Sequence, residues 1–344
     1  MNSPLWIDEH APSLAELPQD DARTQLQRAV DEPMNLVVQG PNGVGKTATV
    51  RALARETHAD PDNDLIEINV ADFFDRTKKE IRNDPRFEPF LTGRSRMAKR
   101  DMINHVLKES ASYAPMSGEF KTIALDNAEA IREDFQQALR RVMEQHHRTT
   151  QFVIVTRQPT KLIPPIRSRC FPVRMRAPTT DEIVVVLRRI VEAEEVDYDE
   201  DGLEYVAGYA DGDLRRAILS AQATATEAGE ITMNAAYETL GEVGHDDELR
   251  DVLSQADAGE FADARSGIDD LLDAGYGGED LLVELLRVAR ANYAGAELAR
   301  LHRLAGEIDA DLVEGNDDRL HLTHLLTAWG QRRRTETSSD PAEV

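Results

Sequence analysis

The stretch Gly40-Pro41-Asn42-Gly43-Val44-Gly45-Lys46-Thr47 sets three glycines, an ammonium and a hydroxyl within eight residues. In the spacing G-x-x-x-x-G-K-T these types suit the grip of a nucleoside triphosphate. Glycines let the backbone wrap with its N–H groups turned inward, and a helix starting at the loop's end adds the positive end of its dipole. Lys46 would then reach the outer phosphates, and Thr47 would offer its hydroxyl to Mg2+. A second chemical stretch is KTIALDNAEAI, Lys121 to Ile131. It reads as a buried strand ending on Asp126, an acid suited to the same Mg2+ directly or through water. Asn127, Ala128 and Glu129 follow it.

Elements must exist to bring these stretches together. NLVVQ (35–39), DLIEINVA (64–71), TIALD (122–126) and QFVIVT (151–156) are short β-branched runs separated by helical stretches. That alternation predicts an α/β domain with a RecA-like parallel sheet and helices on both faces. The loop 40–47 lies between the first strand and the helix TATVRALARE, the context its chemistry requires. After Pro178 strand signals stop. TTDEIVVVLRRIVEAEEV opens on a Thr or Asp N-cap, and DGLEYVAGYA, GDLRRAILSAQATATEAG and ITMNAAYETLG continue at helical spacing. The expected organisation is a nucleotide domain over 1–177, an all-helical lid over 178–241 and a helical collar over 242–334. The last ten residues, 335–344, lack apolar content and are expected to be disordered. No internal repeat is present.

Composition narrows the class. The chain has 344 residues, enough for two or three domains, and a net charge of −24. No apolar run approaches the roughly 18–20 residues that span a bilayer, so a soluble cytoplasmic protein with no membrane partner is expected. Cys170 is the single cysteine, which excludes an intrachain disulfide, and His146 and His147 fall outside any metal-ligand spacing. Lysine is scarce: 7 of 40 basic residues, against 64 acids. A surface rich in carboxylate and poor in lysine suits a halophilic cytoplasm, where molar salt screens self-repulsion within a few ångströms. Against that background Asp75–Arg100 stands out, with nine basic and four acidic residues, +5 locally where the rest of the chain carries −29. Lys78, Lys79, Arg82, Arg94 and Arg96 are its candidates for contact with a DNA backbone, read by shape and not by base.

Four motifs together resemble the AAA+ clamp loaders, and within them the small subunits of archaeal and eukaryotic replication factor C. They are PLWIDEHAPSLAEL near the N-terminus, DNAEAIREDFQQALRRVME, LIPPIRSRCFPVRM with its Ser168-Arg169-Cys170 box, and GDLRRAI at 212–218. What the resemblance implies is a pentameric hetero-oligomer with a large subunit and other small subunits. Its ATPase cycle would open a sliding clamp and place it on primer-template DNA. Arg169 matches the arginine finger that acts on a neighbour's ATP. Arg215 matches the sensor-2 arginine that touches the nucleotide bound to its own chain. The helix carrying QQALRRVME would relay contacts between neighbouring subunits and the nucleotide site.

Departures from the family pattern gather around one site. Where the family has Asp-Glu-Ala-Asp, this chain has Asp126-Asn127-Ala128-Glu129, so an amide stands where a glutamate would polarise the attacking water. Losing a general base costs roughly 10²–10⁴ in rate. Glu129 is a conceivable substitute, two residues further on. Arg157 occupies the place of the sensor-1 asparagine, and Glu9-His10-Ala11-Pro12 replaces the usual Lys-Tyr-Arg-Pro. The expectation is a subunit that binds ATP and hydrolyses it poorly, while Arg169 serves a neighbour. A non-hydrolysing structural subunit of the same assembly stays open. So does a different AAA+ DNA-remodelling ATPase, which would need a winged-helix domain at the C-terminus.

Overall fold

The computed structural model describes residues 4–71, 76–83, 91, 97–116, 118–314 and 317–337. It divides into two compact units, Met1–Ala236 and Tyr237–Val344.

In the first unit, strands β1 (Leu36–Gln39), β2 (Leu65–Asn69), β3 (Lys121–Asp126), β4 (Thr150–Thr156) and β5 (Phe171–Arg174) form one parallel sheet in the order β2-β3-β4-β1-β5. Helices α1 (Asp20–Asp31), α2 (Lys46–Thr57), α3 (Lys78–Asn83), α4 (Lys99–Ser112) and α5 (Glu133–His146) accompany it. Alternate residues of a strand face opposite ways, so one strand feeds two cores. Phe152 and Ile154 of β4 pack with Met102, Val106 and Leu139 on one face, while Val153 and Val155 join Leu26, Val50 and Leu53 on the other. The doubly covered parallel sheet expected from the β-branched runs is present.

Strand β5 was not legible in the sequence. It has four residues and contains Pro172, which cannot donate to a ladder. Pro172 is tolerated because β5 is an edge strand, paired only with β1.

The lid follows within the same unit as α6 (Thr180–Ala193), α7 (Glu200–Tyr209) and α8 (Leu214–Ala228). The expected cap of α6 is Thr179, in a reciprocal box: Glu182 N–H donates to its Oγ1 at 3.3 Å, and its own N–H donates to Glu182 Oε2 at 2.8 Å. The lid is not purely helical. A two-residue parallel pair, β6 (Asp197–Tyr198) with β7 (Glu230–Ile231), joins the start of α7 to the end of α8. Two residues per strand leave no periodicity to read.

Helix α9 (Met233–Gly244) spans the boundary between the units. Beyond it α10 (Asp246–Ala258), α11 (Phe261–Asp273), α12 (Gly278–Asn292), α13 (Gly295–Glu314) and α14 (Asp318–Thr337) form a helical bundle. Its core holds Leu253, Ile268, Leu285, Leu301, Leu325 and Trp329. Helix α14 runs to Thr337, three residues past the expected end of the collar, and 338–344 lie outside the described residues. Among the described residues no helix is long and apolar enough to cross a membrane.

Candidate nucleotide site

The candidate residues collect at the C-terminal ends of four adjacent parallel strands, where open α/β sheets bind ligands. β1 delivers the loop 40–47, β3 delivers Asp126, β4 delivers Thr156 and then Arg157, and β2 ends on Asn69. The loop owes its path to glycine. Gly43 and Gly45 have φ of 68° and 92°, in the left-handed region that side chains disfavour. At Gly40 an added Cβ would sit 2.0 Å from the Met175 carbonyl oxygen.

Gly45 is the N-cap of α2, so Lys46 and Thr47 open the helix with its free N–H groups beneath the loop. Lys46 Nζ donates to the Pro41 carbonyl. Burial pushes its ammonium below the usual lysine range, while the charges of Asp126 and Glu129 pull the other way. A cation already stripped of some water loses less on meeting a phosphate. Thr47 Oγ1 donates to Asp126 Oδ2 at 2.7 Å, which brings the expected Mg2+ pair together, and Asp126 Oδ1 accepts from Asn127 N–H at 2.8 Å. Glycine cradle, ammonium, hydroxyl and carboxylate thus fit a magnesium-bound triphosphate.

The water-activating side is built differently. Asn127 has φ 53° and ψ 44°, a left-handed conformation that asparagine tolerates better than most residues. Its Nδ2 donates to Asn69 Oδ1 at 3.1 Å, across the β2–β3 register that sets Asn69 opposite Asp126. Glu129, its side chain only 7% exposed, accepts three hydrogen bonds from neighbouring protein groups. Its Oε1 accepts from Arg157 Nε at 2.6 Å, and its Oε2 accepts from Thr156 Oγ1 at 2.9 Å and Arg157 N–H at 3.2 Å. Burial alone would raise the Glu129 carboxyl. The Arg157 guanidinium, the backbone N–H groups and the Thr156 hydroxyl outweigh it and hold the carboxyl below its ordinary value.

The lid meets the loop through the start of α8. Arg215 N–H donates to the Gly43 carbonyl at 3.1 Å, and Asp213 caps α8 by accepting from Arg216 N–H at 2.8 Å. A Cβ on Gly43 would fall 1.8 Å from Asp213 Oδ1. Arg216 lies over the Tyr209 ring at 4.3 Å, whereas the Arg215 side chain is exposed beside the phosphate loop. An open cleft of about 760 Å³ next to the loop is lined by Gln19, Gln39, Gly40, Pro41, Arg157 and Arg174. Gln19 is buried and donates to the Arg176 carbonyl at 3.1 Å, which leaves its Oε1 an unused acceptor among the described residues.

The structure does not bring Arg169 to this site. It stands on the short turn after Pro164–Arg167, where NH1 donates to the Pro165 carbonyl at 2.7 Å and NH2 pairs with Glu144 Oε1 at 2.6 Å. Neighbouring Cys170 is driven by burial to a pKa of about 12, so it is an inert thiol despite the adjacent Arg169 charge. Of the basic cluster, Lys78, Lys79 and Arg82 lie on α3, anchored by buried Ile81, with Lys79 exposed and the other two half-buried. Arg94 and Arg96 lie outside the described residues. Sequence reasoning missed Asn69, Gln19 and Glu144. For Asn69 a signal existed, its place at the end of the strand before the acidic one. For Glu144 it was the i,i+4 spacing from Arg140 on the helix after the acidic motif.

Comparison with known proteins agrees with this geometry. Residues 36–178 match the ATPase family associated with various cellular activities (AAA), and residues 244–328 match the replication factor C C-terminal domain. The replication factor C small subunit of Halobacterium salinarum is 30% identical over 331 residues, covering 94% of this chain and 95% of that one. The small subunit of Methanocella arvoryzae is 33% identical over 296 residues, covering 85% and 84%. Among solved structures, a variant of Thermotoga maritima RuvB superposes with a TM-score of 0.53 at 18% identity, over 71% of this chain and 78% of that one. The RuvB likeness is one of fold alone. The C-terminal match, in contrast, falls on the helical bundle. The chain belongs to the replication factor C small-subunit family, the AAA ATPase subunits of clamp loaders.

Proposed function

We propose that this chain works in a hetero-pentameric clamp loader, with a large subunit and other small subunits, in the cytoplasm. That assembly opens a sliding clamp and sets it on primer-template DNA. Within it, this chain's own site holds ATP and Mg2+ and hydrolyses slowly, while Arg169 acts on the ATP of a neighbour. The observation that carries this reading is the contrast inside one site: an assembled phosphate cradle beside Asn127, an amide that donates to Asn69, and Glu129, whose carboxylate accepts from Arg157 and Thr156.

Bound ATP with Mg2+ would supply a polarised γ-phosphate. The chain's residues do the rest. The loop N–H groups, Lys46 and the start of α2 hold negative charge, and Thr47 and Asp126 present hard oxygen ligands to the ion. Asn127 can orient a water but cannot take its proton. Arg215, next to Gly43, ties the lid to the state of the phosphates. Arg169, exposed on its turn, offers a guanidinium to charge developing on another subunit's phosphate, a contribution worth roughly 10³–10⁵ in rate in related transfers. Lys78, Lys79 and Arg82 give α3 a basic surface suited to a DNA backbone.

The test is turnover of the reconstituted complex with Arg169→Ala beside the same complex with Lys46→Ala. Arg169→Ala should lower hydrolysis about 10³-fold at the neighbouring site, and Lys46→Ala should remove little of the total. The reverse pattern overturns the assignment. A purely structural, non-hydrolysing subunit is favoured instead if both variants leave turnover intact.

A further inference from the structure

The Arg169 guanidinium is not loose. Its two tethers come from different parts of the chain: the Pro165 carbonyl from its own turn at 2.7 Å, and Glu144 from the last turn of α5 at 2.6 Å. Glu144 also faces a second cation, since Arg140 one helical turn earlier places Nε 3.3 Å from the same oxygen. The two elements are also locked together in the core. Gln136 of α5 is 2% exposed, donates to the Lys161 carbonyl at 2.9 Å and accepts from Ile163 N–H at 2.7 Å, on the loop that leads into the Arg169 turn. Helix and turn are therefore tied at two places, a buried anchor at one end and an acid–guanidinium contact at the other.

We propose that Glu144 is the positioning residue of the arginine finger: it aims Arg169 at the neighbouring subunit's triphosphate. This rests on the reading of Arg169 as a residue acting in trans. A guanidinium carries five N–H donors in a rigid fork. Glu144 and Pro165 each take one, so the others stay available to phosphate oxygens while the plane of the fork is held. Exposed ion pairs are weak and screened by salt, so Glu144 orients the guanidinium and does not withhold it. The gain is entropic. An untethered arginine must lose its rotamer freedom when it meets phosphate, and a tethered one has lost part of it beforehand.

The experiment uses the reconstituted complex with clamp and primed DNA and measures kcat and KM for ATP. Glu144→Ala should lower kcat about three- to tenfold, the rate equivalent of ordering one long side chain, with KM unchanged. Glu144→Gln retains an acceptor at the same reach and should keep most of the rate. In an Arg169→Ala background, Glu144→Ala should add no further loss, because a residue acting only through Arg169 has nothing left to position. A rate unchanged or raised by Glu144→Ala overturns the proposal. So does a further loss in the Arg169→Ala background, which marks a structural role. If Arg169→Ala itself leaves turnover intact, the trans-acting reading fails with it. If Arg169→Ala abolishes turnover and Glu144→Ala is silent, only the positioning role fails.

Discussion

The two sides of the nucleotide site, a few residues apart, follow different rules. On the phosphate side the groups have the types and arrangement that suit a triphosphate: left-handed glycines, a helix start, a partly desolvated Lys46, and Thr47 beside Asp126. On the water side the polar groups are placed for each other, Asn127 with Asn69 and Glu129 with Arg157 and Thr156. On the proposed reading, the difference teaches that holding a triphosphate and cleaving it are separable properties of one fold. The cradle is made of backbone and charge. Cleavage is helped by a carboxylate that can take the water's proton, and here the Glu129 carboxylate accepts three hydrogen bonds from Thr156 and Arg157.

That comparison can be broken from either side. The largest effect is expected on the cradle. Lys46→Ala removes a charge-assisted contact worth roughly 1.5–3 kcal/mol, so ATP affinity of the isolated chain should fall about 10- to 100-fold by calorimetry. An unchanged affinity would mean the loop does not grip phosphate. A smaller effect is expected on the water side, in acid. The Glu129 carboxyl is held below its ordinary value in the folded chain, so its stabilising contribution is complete above the unfolded carboxyl's pKa and is lost as pH falls through the folded one. Arg157→Ala removes the guanidinium that does most to lower that folded value, and so raises it. The variant should therefore unfold at a higher pH than the parent when acidified and followed by circular dichroism. An identical acid midpoint would show that the pair contributes no stability.

What the sequence disclosed follows the range of each interaction. The loop 40–47 was legible because its chemistry is contiguous, and four strands were legible because runs such as Val37–Val38 and Val153–Val155 are buried on both faces. β5 escaped because Pro172 and a length of four residues mute the strand signal, and its edge position appears only in the assembled sheet. Around the site, the identities of Asn127, Arg157 and Arg169 already carried the main expectation. Their partners did not follow. Asn69 reaches Asn127 through the register of two parallel strands, Glu129 meets Arg157 across the ends of β3 and β4, and Glu144 meets Arg169 between a helix and a turn. Glu129 thus could be named as a candidate base from sequence, while its three hydrogen bonds to Thr156 and Arg157 are a fact of tertiary structure.

The central claim is that ATP sits in this chain's site without being cleaved at speed. The direct measurement is single-turnover hydrolysis of ATP at this site, in a complex whose other subunits carry substituted P-loop lysines, for the parent and for Asn127→Glu. The parent should bind ATP and leave it largely intact. Asn127→Glu should raise the rate about tenfold, short of the roughly 10²–10⁴ of a well-placed base, because a left-handed backbone costs glutamate roughly 1–2 kcal/mol. Rapid cleavage by the parent, unaffected by Asn127→Glu, would contradict the account.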